Sequence, residues 1–125
     1  MTRAASETRV LRELGAGLIV GDIPPLAFSV GASAGIPSVA VANFTWDWIY
    51  AYYPEFESRA PGVILEISRA YQNATLALRL PIQGGFESMT TVEDIPLIAR
   101  RSTRDPAETR RILRIDRGAL LVLAS

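Results

Sequence analysis

Two short runs early in the chain, "LIVGD" at residues 18–22 and "IPSVAVANF" at residues 36–44, are apolar at consecutive positions, and this limits the fold more than any other feature. Successive strand residues point to opposite faces, so a strand with one wet face alternates apolar and polar side chains. These runs do not alternate. The pattern predicts strands of a parallel sheet covered by helices, because only such a sheet hides both faces.

The segments between and after the runs fit helices. Residues 4–14, "AASETRVLREL", place Val10, Leu11 and Leu14 on one face, and Gly15 stands where a helix would stop. "IPPLAFSVGASAG" reads as a turn and a short helix, with Pro24 and Pro25 in its first turn and Gly35 at its end. Thr45 is expected to cap an aromatic helix limited by Pro54, with Asp47 in its first turn. A longer helix is expected over 61–73, with Val63, Ile64, Ile67 and Tyr71 as its buried stripe. "TLALRL" reads as a strand stopped by Pro81. "IQGGFESMTTVED" reads as a loop broken at Gly84-Gly85, and "IPLIARRST" as an extended segment. Asp105 and Pro106 open a last helix, and "ALLVLAS" is expected to be one more buried strand. The order is α/β throughout. The final helix and strand look like the opening of a second domain, and a chain that starts on a helix suggests a piece of a larger protein.

Composition removes several kinds of chemistry. There is no histidine, cysteine or lysine, and all thirteen basic residues are arginine. Ser-His-Asp and Cys-His machinery, ordinary zinc sites, a Schiff-base lysine and a P-loop lysine are thereby excluded. No metal or cofactor site is expected. Net charge is zero, which favours neither nucleic acid nor an anionic membrane. The N-terminus lacks the apolar core of a signal peptide, and no run is long enough to span a membrane. Absent cysteine fits a reducing compartment, so a cytoplasmic location is expected. "NFT" and "NAT" match the glycosylation pattern by coincidence on that reading.

Candidate chemistry gathers where strands end. In open α/β sheets ligands bind beyond the carboxyl ends of the strands. "GDIPP" and "NFTWDW" lie at two such ends, so Asp22, Asn43 and Asp47 are expected to face one crevice. Asp22 is either a general base or a turn residue that accepts backbone N–H bonds. Asp47 either takes a proton from a sugar hydroxyl or complements the helix dipole. Asn43 binds a ligand through both ends of its amide or caps the loop. Residues 41–53 hold six of the ten aromatic residues in the chain. Helical spacing groups Trp46, Ile49, Tyr50 and Tyr53 on one face, most simply core. Trp48 and Tyr52 fall elsewhere, free for a cleft or a subunit contact. Aromatic faces suit the C–H surfaces of sugars. Residues 35–58 contain no arginine, which turns the cluster away from nucleic acid. The glycines of "GAGLIVG" precede a strand instead of following one, so they make no dinucleotide fingerprint. Arg100, Arg101 and Arg104 are either a phosphate site or an exposed linker.

The stretch "GDIPPLAFSVGASAGIPSVAVANFTWDWIY" resembles the N-terminal glycosyltransferase-like module of L-arabinokinases and related bacterial proteins. The matching pattern is an aspartate after a strand, then "AGIPSV", then "NF-x-WDWIY"; "IPLIARRS" resembles that family's passage between domains. The resemblance implies a Rossmann-like parallel sheet of the two-domain glycosyltransferase architecture called GT-B. Residues 1–98 would then be the C-terminal portion of the acceptor-side domain, 99–117 the interdomain linker and helix, and 118–125 the first strand of a second α/β domain. It implies a parent that transfers a sugar from a nucleotide-sugar donor to an acceptor hydroxyl. Asp22 and Asp47 would be catalytic, and Asn43, Phe44, Trp46 and Tyr50 would bind acceptor. The alternative is a non-catalytic sugar-binding or regulatory module joined to a sugar kinase. Many enzymes of this architecture use a histidine in an early loop, expected before Met1, and a donor site expected after Ser125. The chain alone is therefore expected to be inactive.

Overall fold

A computed structural model describes residues 3–122. It contains the α/β fold that the apolar runs predict. Helix α1 (Arg3–Glu13) leads to strand β1 (Ile19–Gly21), helix α2 (Pro25–Ala34) and strand β2 (Ser38–Phe44). Helices α3 (Trp46–Ala51), α4 (Glu55–Arg59) and α5 (Val63–Tyr71) follow, then strands β3 (Leu76–Gly84) and β4 (Val92–Asp94), then helix α6 (Pro106–Ile112). The sheet runs β1-β2-β3-β4, and every neighbouring pair is parallel. It is a partial Rossmann-like sheet flanked by helices.

Strand register explains the core. Ala40 pairs with Gly21 on one side and Ala77 on the other, and Ala77 pairs with Val92. Residues paired in this way share a face. Small residues there leave room for large rings. Phe28 of α2 and Tyr71 of α5 fill it edge to face, 5.8 Å apart, and both are fully buried. Each such side chain stabilises the fold by roughly 1.5–3 kcal/mol. Ile23, Ala42, Ala74, Phe86 and Met89 complete the cluster. The alternate residues Val20, Val39, Val41, Leu76 and Leu78 share the opposite face, which is more open: Val20 is 63% exposed.

Several expectations need correction. Leu11 of the α1 stripe is half-buried, but Val10 and Leu14 are exposed. Pro81 does not stop β3, which runs on to Gly84 through a bulge. Pro tolerates such a place because a bulge leaves ladder positions unpaired. The expected loop also contains β4, a strand of three residues, too short for a periodic signal. Helix α5 begins at Val63, two residues after Pro61, because Gly62 takes a left-handed conformation at its N-cap. Asp105 does cap α6, accepting from the Ala107 amide at 3.0 Å. Residues 120–122 of the expected last strand are exposed and form no strand; residues 123–125 lie outside the described residues. A strand needs a partner, and no strand of the sheet pairs with this segment.

Candidate functional site

The carboxyl ends of β1, β2 and β3 form one edge. Tyr71 ties the first two together. Its hydroxyl donates to the Ile23 carbonyl after β1 at 3.0 Å and accepts from the Trp46 amide after β2 at 3.3 Å. Burial pushes this phenol well above the usual tyrosine range.

Asp47 lies inside the edge. Its carboxylate accepts from Ser68 Oγ of α5 at 2.7 Å, from Ser88 Oγ at 2.8 Å and from the Trp48 amide at 3.0 Å. Burial works to raise its pKa. The surrounding hydroxyls of Thr45, Ser68 and Ser88 and the Trp48 amide outweigh that and hold it below the usual carboxylate range. The first amides of α3 are thus satisfied by Tyr71 and Asp47. Thr45 sits at the N-cap position as expected, but its buried hydroxyl makes no capping hydrogen bond. It is turned against Gly85, where any side chain would collide with it.

Asp22 and Asn43 are both exposed, and neither side chain makes a hydrogen bond or ion pair. Asp22 therefore does not accept the backbone bonds that a turn role would give it. Register sets Gly21 level with Ala40, so Asp22 follows at the end of the strand beside the one that carries Asn43. Asp47 does not join them. It is turned inward against α5, so the three residues do not face one crevice.

The aromatic residues engage one another. Phe44 meets Trp46 edge to face at 5.1 Å, Trp46 stacks on Tyr50 at 5.4 Å, and Tyr50 stacks on Phe56 at 4.0 Å. Phe44, Trp46 and Tyr50 are half-buried, and Tyr53, expected on the core face, is 54% exposed. Trp48 lies over Gly84, where an added Cβ would come within 2.5 Å of its ring. Trp48 also meets the exposed Tyr52 edge to face at 5.4 Å.

Backbone strain marks the same edge. Ile23, Ile82 and Phe86 have positive φ of 47°, 58° and 83° and stand beyond or within the last turns of β1 and β3. Such conformations cost on the order of 1–3 kcal/mol each and concentrate at functional sites. Arg79 is occupied nearby: its guanidinium pairs with Asp94 of β4 at 2.7 and 3.1 Å and holds that carboxyl below its usual range. Sequence reading missed Ser68, Ser88 and the hydroxyl of Tyr71. The serines carry no periodic or motif signal, and Tyr71 reads simply as core. Among the described residues no group of three acidic residues gathers to hold a metal, and no helix is long and apolar enough to cross a membrane.

No protein-family model and no solved structure matches the chain. It is similar to the L-arabinokinase of Arabidopsis thaliana, 32% identical over 121 residues. That likeness covers 94% of this chain but only 12% of the relative. It is a weak homology over most of a short chain, and it relates the chain to a sugar kinase.

Proposed function

We propose that the carboxyl edge of this sheet binds a sugar, as one part of a longer sugar-handling protein. The observation that carries this reading is the pair Asp22 and Asn43: two polar side chains without protein partners, at the ends of adjacent strands. Asp22 accepts from sugar hydroxyls; Asn43 can donate and accept. Phe44, Trp46 and Tyr50 form a rigid wall behind them, and Asp47 holds the start of α3. The likeness to an L-arabinokinase supports sugar as the ligand class.

In the glycosyltransferase reading, residues 1–98 are the acceptor side of a GT-B protein, 99–117 the crossover and 118–125 the start of the donor domain. Asp22 then takes the proton of an acceptor hydroxyl. The oxygen bonds to the anomeric carbon as the bond to the nucleoside diphosphate breaks. In the second reading the segment is a non-catalytic sugar-binding module joined to a sugar kinase. The relative's name and the internal engagement of Asp47, which leaves one candidate base instead of two, favour this second reading.

Titration of the chain with L-arabinose tests binding itself. Loss of binding in Asp22→Ala and Asn43→Ala supports the site; unchanged binding in both removes it. Incubating a longer polypeptide that carries this segment with nucleotide sugars and L-arabinose separates the two readings. Transfer that falls at least about 100-fold in Asp22→Asn supports the glycosyltransferase. Sugar binding without transfer supports the module.

A further inference from the structure

Strand β3 does something unusual at the candidate edge. Ala42 of β2 pairs with Arg79, but Phe44, two residues later, pairs with Gly84, five residues later. The excess on β3 is taken up by a bulge that holds Leu80, Pro81, Ile82 and Gln83. Bulges re-aim side chains and are common beside active sites. At this one Ile82 adopts a φ of 58° and is 95% exposed. A β-branched residue resists that conformation, and water is a poor environment for its side chain. Neither the backbone nor burial explains why isoleucine stands there.

The pairing of Phe44 with Gly84 places Asn43 and Gln83, one step before each, at neighbouring positions on adjacent strands. Both are exposed, and neither amide side chain has a hydrogen-bond partner. Two amides side by side offer donors and acceptors of both kinds, which matches adjacent hydroxyls on a sugar ring. The edge holds no cation to balance a phosphate. Between Arg12 and Arg59, and between Arg79 and Arg100, the sequence has no basic residue. Arg79 itself is spent on Asp94, while Asp22 adds a free negative charge.

We infer that Gln83 is a ligand-binding residue which, with Asn43, grips the hydroxyls of an uncharged sugar, and that Ile82 supplies the apolar contact beside them. The inference rests on the sugar-binding reading above and adds to it a residue and a selectivity: free sugar over sugar phosphate.

The test is titration of the chain with L-arabinose and with L-arabinose 1-phosphate, with circular dichroism to check folding. Gln83→Ala is expected to weaken L-arabinose binding about tenfold, as losing one good hydrogen bond does. The phosphate is expected to bind at least about tenfold more weakly than the free sugar. Ile82→Gly is expected to raise the melting temperature, because the strain is released, and yet to weaken binding. If Asn43→Ala weakens binding while Gln83→Ala leaves it unchanged, the inference falls and the sugar site stands. Equal affinity for the two ligands overturns the selectivity. If the wild-type chain binds neither ligand, the inference and the reading beneath it fall together.

Discussion

The Asp47 carboxylate joins three parts of the chain: the start of α3, the middle of α5 through Ser68, and the loop after β3 through Ser88. Hydrogen bonds to a charged acceptor contribute more than neutral ones, and their loss leaves buried hydroxyls unpaired. Asp47→Ala is expected to destabilise the chain by about 3 kcal/mol in urea unfolding. Sugar binding by the folded fraction should persist, since this side chain faces away from Asp22 and Asn43. Its depressed pKa adds a pH dependence. The stabilisation is complete above the ordinary aspartate value, about 4, and is lost as the pH falls from there through the lower folded value. Melts across that range should lose this acid limb in Asp47→Asn. Tyr71 behaves in the opposite direction, because burial favours its neutral form. Its contribution is complete below about pH 10 and declines as the pH rises beyond it.

Elements differ in how much of their structure the sequence announces. β1, β2 and α2 were legible because apolar runs, paired prolines and Gly35 act locally; Gly35 ends α2 in the left-handed conformation that glycine permits. β4 and the bulge in β3 were not, because they exist through pairing with a distant strand. The candidate site divides the same way. Asp22 and Asn43 follow from the rule about strand ends. The inward turn of Asp47 depends on serines 21 and 41 residues away, which no local pattern reveals. Gly84-Gly85 reads as a loop break in sequence but is a close-packing surface for Trp48. Gly84→Ala should therefore cost roughly 1–3 kcal/mol and shift the tryptophan fluorescence as the ring is displaced. Unchanged stability and emission would mean that the ring moves aside freely.

Across the whole molecule, charge is unevenly distributed. Residues 99–117 carry seven arginines against three acidic residues, and the remainder carries six arginines against ten. An anionic ligand is drawn to the arginine-rich segment and an uncharged one is left to the sheet edge. The likeness to a plant L-arabinokinase spans 12% of that protein, so the segment acts, on the reading proposed here, as the sugar-gripping edge of a larger assembly. Amide NMR shift mapping of the chain during titration with L-arabinose tests this most directly. The account predicts shifts concentrated at residues 21–24, 43–45 and 82–85, with 99–117 unmoved. Shifts confined to the arginine-rich segment, or none at millimolar sugar, would contradict it.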